Sequence, residues 1–79
     1  MITLRITPAG KFTYERGYEK ATYELLVGGL VIATGEAATG ALALDMAEAR
    51  SDYLLDHPDV LAEAVVRAAL DALAKAVRP

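Results

Sequence analysis

Two apolar runs, ATYELLV (21–27) and LVIATGEA (30–37), flank the pair Gly28–Gly29. A two-residue link between antiparallel strands needs positive φ at its centre, and glycine accepts that without a Cβ clash. The segment therefore predicts a tight β-hairpin. Its two-residue loop sets the expected register: Val27 opposite Leu30, Leu25 opposite Ile32, Tyr23 opposite Thr34. Those side chains form the expected core face. The other face carries Thr22 and Glu24 but also Leu26 and Val31, so it is not cleanly polar.

Upstream, ITLRIT (2–7) alternates with period two, placing Ile2, Leu4 and Ile6 on one side and Thr3, Arg5 and Thr7 on the other. This predicts a strand with one buried face. PAG (8–10) reads as a break, KFTYE (11–15) as a second strand, and Arg16–Gly17 as a bend.

Downstream the period changes to that of a helix. Leu42, Met46, Ala49 and Tyr53 form the expected inward stripe of a first helix capped by Thr39. His57–Pro58 separates it from a second helix, with Pro58 in the first turn, where its missing N–H costs nothing, and Asp59 suited to the helix dipole. Along this second helix Asp59, Glu63, Arg67, Asp71 and Lys75 recur every four residues as a polar ridge. Leu61, Val65, Ala68, Ala72, Leu73 and Ala76 lie elsewhere on the wheel, widened by Val66, Leu70 and Val77. That apolar sector is broad for a helix packed on one side only. The expectation is a single α+β domain over 1–79. A small antiparallel sheet of three to four strands (1–37) precedes two α-helices (39–78) packed on it.

Composition limits the chemistry. The 79 residues include no cysteine, one histidine (His57) and one serine (Ser51). Disulfides, thiolate metal sites and thiol nucleophiles are excluded, and a small domain without such staples depends on apolar packing or on a partner. His57 and Ser51 sit six apart around the end of one helix, with no implied nucleophile–base geometry, so His57 reads as a loop or cap residue. No spacing of a metal site or phosphate loop is present. The chain is expected to be non-enzymatic, to need no cofactor or metal, and to take no small-molecule substrate. The longest apolar run, 25–33, is too short for a membrane-spanning helix, and MITLRIT lacks the pattern of a signal peptide, which together with the absence of cysteine suggests a cytoplasmic setting.

Net charge is −3, unevenly spread. Residues 1–20 carry four cations against two anions. Residues 24–63 carry eight anions against Arg50 alone. Residues 67–78 carry three cations against Asp71. An acidic chain of this kind is poorly suited to direct nucleic-acid binding, which needs clustered Lys and Arg.

Two surface features stand out. Asp45, Glu48, Asp52 and Asp56 share one helix face with no cation among them. They read as a solvated face or as a docking surface for a basic groove. Four like charges on one face cost helix stability without local return. The second feature is KFTYERGYEKATY (11–23), which holds four of the five aromatic rings. The hairpin places Tyr23 inside, and Phe12 is expected there with it. Tyr14 and Tyr18, among Lys11, Glu15, Arg16, Glu19 and Lys20, are expected to be exposed. Tyr14, Arg16 and Tyr18 then form a second candidate contact patch, because Tyr and Arg dominate interface hot spots. Structural packing of these rings is the alternative.

The stretch FTYERGYEKATYELLVGGLVIATGEAATGALALDMAEA resembles a double-stranded RNA-binding domain in its β-β-α rhythm, across roughly 12–55. It departs from that family where the helix should open with lysines and reads TGALALDMA. RNA binding, if present, would fall to Lys11, Arg16 and Lys20. The stretch YELLVGGLVIATGEAATGALALDMA is similar to small phage-encoded anti-CRISPR proteins, many of them acidic single domains below a hundred residues without catalytic motifs. That resemblance implies an inhibitor, inside a bacterial host, that binds a CRISPR effector complex directly, often at its nucleic-acid-binding surface. A third reading is a self-associating module with the second helix, through Ala68 and Ala72, at a homodimer interface.

Overall fold

A computed structural model describes residues 1–77. It contains β1 (Thr3–Thr13), β2 (Gly17–Val27), β3 (Leu30–Ala37), α1 (Gly40–Asp56) and α2 (Pro58–Ala76). The fold is α+β, an antiparallel three-stranded sheet in the order β1-β2-β3 followed by two helices. Position 78, the expected end of the second helix, lies outside the described residues.

The hairpin of β2 and β3 turns at Gly28 and Gly29, with φ of 57° and 81°. Val27 pairs with Leu30 as the loop length dictates. Leu26 still pairs with Val31, and beyond it the pairing shifts. Leu25 lies opposite Ala33, not Ile32, and Tyr23 opposite Gly35, not Thr34. Ile32 is the extra residue of a β-bulge, which two-residue pairing from the turn cannot anticipate. The shift has a packing reason. A Cβ on residue 35 would lie 2.3 Å from the Tyr23 ring, so only glycine leaves room for that ring.

β1 also differs from expectation. Pro8–Gly10 does not end it; the strand runs from Thr3 through to Thr13, and KFTYE belongs largely to its far end rather than to a separate strand. As the edge strand of the sheet, β1 tolerates Pro8. Register shifts between Ala9 and Phe12, where Gly10 has φ 79° and Glu19 packs against it. The result is a long hairpin whose outer half, about residues 11–18, turns at Tyr14–Arg16.

The core is small. Ala21, Tyr23, Leu25, Ala43, Ala47 and Leu54 are buried, and among the described residues Leu25 is the one large side chain fully enclosed. Ile2, Leu4, Ile6, Ile32, Ala33, Ala37, Val60 and Leu61 close around them. The inward stripe of α1 is Ala43, Ala47, Ser51 and Leu54, one step round from the expected Leu42, Met46, Ala49 and Tyr53. All four of those expected residues are exposed. Both stripes have helical spacing. The small one wins because alanine lets the helix settle closely on the sheet, while Leu42, Met46 and Tyr53 are left facing out. Thr39 caps α1 as expected: its Oγ1 accepts from the Leu42 amide at 3.1 Å.

α2 packs mainly on β3, with Val60, Leu61, Ala64, Val65 and Ala68 half-buried and no residue fully so. Of the apolar sector read from the sequence, Leu73 is exposed on the side of the helix turned away from the sheet, with Val66 and Leu70, and Ala72 and Ala76 in the last turns are exposed too. On the open side of the sheet, Arg5 pairs with Glu24 at 2.6 Å and Lys20 with Glu36 at 3.5 Å. The hydrogen bond and charge of Glu24 hold the Arg5 guanidinium above its ordinary pKa.

Candidate protein-binding surface

The far end of the β1–β2 hairpin is built by its own side chains. Phe12 pairs across the strands with Tyr18, ring centroids 5.0 Å apart, and meets Tyr14 edge-on at 5.6 Å. Phe12 is half-exposed rather than inside: Gly10 shifts the register before it, and the arm extends past the buried core. Tyr18 is half-exposed, and Tyr14 is 99 % exposed. Phe12, in contact with both tyrosines and open to solvent with them, makes an aromatic cluster at the tip. The Arg16 amide donates to Thr13 Oγ1 at 3.2 Å and the Lys11 amide to Glu19 Oε2 at 3.2 Å, which fixes the turn and the bulge below it.

Beside this cluster lies an open groove of about 420 Å³ lined by residues that include Lys11, Arg16, Tyr18 and Thr39. A second groove continues past Arg16, Tyr18 and Lys20 toward Ile6 and Gly40. The hairpin arm and the start of α1 thus enclose a depression with cations on its rim. Thr39 and the adjoining Ala38 had no part in the candidate patch drawn from sequence. Their involvement follows from the β3–α1 connection passing beside the hairpin, a tertiary relationship with no local signal.

Asp45, Glu48, Asp52 and Asp56 are all exposed on α1, on the side away from Ala43, Ala47 and Leu54. Leu42, Met46 and Tyr53 line one flank of this stripe and Leu44 and Leu55 the other, all substantially exposed. The stripe begins five residues into α1, whereas Tyr14, Arg16 and Tyr18 belong to the hairpin tip near the start of that helix. The two candidate patches are therefore separate features. Among the described residues no charged side chain is fully buried, and no group of three His, Asp or Glu side chains converges as a metal site.

Ser51 and His57 are placed by packing. Ser51 is buried on the inner face of α1. His57 sits between the helices, its ring stacked on Tyr53 at 4.2 Å and its Nδ1 2.8 Å from the Tyr53 carbonyl oxygen. A carbonyl can only accept, so Nδ1 carries the proton in this contact. The His57 amide donates to Leu54 O and its own carbonyl accepts from the Leu61 amide, which makes it the joint of the two helices. No helix among the described residues is long and apolar enough to cross a membrane. No protein-family model matches the chain, and neither a curated protein nor a solved structure matches it.

Proposed function

We propose that this chain is a non-catalytic protein-binding module that engages its partner through the hairpin tip, with the acidic face of α1 as a second contact. The observation that carries this reading is the solvent-facing cluster of Phe12, Tyr14 and Tyr18 beside Arg16. Rigid aromatic groups with an adjacent Arg are the groups that supply most binding energy when a partner desolvates them. Asp45, Glu48, Asp52 and Asp56 suit a basic counter-surface, such as one that ordinarily holds nucleic acid. The partner class implied by the anti-CRISPR resemblance is a CRISPR effector complex in the bacterial cytoplasm, inhibited by occupation of its nucleic-acid-binding surface. The rim cations Lys11, Arg16 and Lys20 favour a second reading, direct RNA binding at the groove.

Affinity capture from bacterial extract carrying a CRISPR system, with and without nuclease, separates the readings. Nuclease-resistant recovery of the effector supports the first. Recovery of RNA-linked proteins alone, lost on nuclease treatment, replaces it with the second. Reversal of all four acidic residues to Lys should abolish capture without loss of fold; unchanged capture removes the acidic face from the contact.

A further inference from the structure

The outward face of α2 is apolar where a monomer should be polar. Val66, Leu70, Leu73 and Val77 are each between 58 and 72 % exposed. They lie opposite the half-buried Leu61, Ala64, Val65 and Ala68, which face the sheet. Val66 and Leu73 are seven apart, as are Leu70 and Val77, giving the alternating spacing of a coiled-coil seam. Ala62, Ala69 and Ala76, also seven apart, run alongside and present no bulk to an approaching helix. Arg67 and Asp71 turn the other way, lining a groove against Val31 and Ile32. From Val66 to Val77 the seam is thus clear of charge; one heptad earlier its two positions are Asp59 and Glu63, which cap it with charge.

The size of the molecule points the same way. Its accessible surface is 5753 Å². A compact monomer of this mass exposes about 4,600 Å². The excess, roughly 1,000 Å², is comparable to the ~800 Å² each partner buries in a standard interface. The radius of gyration is 14.5 Å, against about 12 Å for a compact chain of this length. The thinnest dimension is only 14 Å, a single sheet–helix layer.

The seam also reads the same in both directions: Val, four residues on Leu, three on Leu, four on Val. A second, antiparallel copy of the same helix therefore sets Val66 against the partner copy's Val77 and Leu70 against its Leu73, and the two-fold repeats both pairs. An isologous contact requires this self-complementarity. We propose that the occupant of this face is a second copy of the chain, joined through antiparallel α2 helices about a two-fold between Leu70 and Leu73. Ala68 takes no direct part, because it is half-buried against the sheet side.

Sedimentation equilibrium of the full chain tests this. The expected mass is twice 8.4 kDa, and Leu70→Glu and Leu73→Glu should each weaken association at least ~100-fold by setting a charge in the seam, with helical circular dichroism unchanged. A wild-type chain that stays at the monomer mass up to millimolar concentration overturns the proposal. So does a dimer untouched by either substitution. Disulfide trapping needs no loss of stability and reports orientation. The chain has no cysteine of its own, so oxidising a mixture of Val66→Cys and Val77→Cys chains should give the mixed disulfide. Homodisulfides of Val66→Cys alone, as a parallel pair would form, count against the two-fold described.

Discussion

The Tyr23 ring occupies the space that a side chain on Gly35 would fill. The two residues are paired across β2 and β3, and a Cβ on Gly35 would meet the ring at 2.3 Å. From this position the Tyr23 hydroxyl accepts from Arg50 Nη1 of α1 at 3.4 Å, so one ring links the hairpin to the first helix. Gly35→Ala should therefore destabilise the fold by about 1–3 kcal/mol through overpacking, measured as a lower urea midpoint. In a Tyr23→Ala background the same change should cost much less, because the ring it collides with is gone. Equal costs in both backgrounds would contradict the contact.

Among the described residues Leu25 is the one large side chain sealed in the core. Leu25→Ala should cost about 2–5 kcal/mol. Set against a total stability of roughly 5–15 kcal/mol, that loss should populate unfolded chains near 37 °C, seen by thermal denaturation. A cost below 1 kcal/mol would mean the core closes elsewhere.

Thr39 opens α1 with a side-chain cap on the Leu42 amide. Thr39→Ala should cost ~1 kcal/mol, and Thr39→Asp should preserve stability, since its carboxylate accepts the same bond and suits the helix dipole. Chemical denaturation of the three proteins side by side decides this.

Tyr14 touches Phe12 and is otherwise surrounded by solvent. Tyr14→Ala should change stability by no more than about 0.5 kcal/mol, while capture of the partner falls at least tenfold. Full capture by this variant would remove Tyr14 from the contact surface.

The sheet and both helices were legible in the sequence because each carries a strong local sign: the diglycine with flanking apolar runs, the period-two alternation of Ile2–Thr7, and the Thr39 and Pro58 helix starts. The misplacements have different causes. The bulge at Ile32 inserts a residue, so a pairing counted outward from the diglycine turn is wrong beyond Leu26, and Pro8–Gly10 reads as a break although the edge strand carries on through it. Gly35 gave no local sign that Tyr23 would cover it. In α1 two stripes of equal period competed, and the smaller was chosen by close approach to the sheet, a tertiary effect. At the hairpin tip the exposed Tyr14 and Tyr18 followed from ring count and flanking charge. Phe12 is expected inside beside Tyr23, but the hairpin arm carries on past the core and leaves its ring half-exposed.

The strands lie side by side in the order in which they are synthesised, with no crossover. Every sheet contact joins neighbours along the chain, so contact order is low and little loop-closure entropy opposes folding. The six buried apolar residues all lie in β2 and α1, and β1, β3 and α2 supply none of them. Folding would then have two steps: the sheet closes on α1, and α2 is laid along β3 afterwards, with Val60 and Leu61 completing the core.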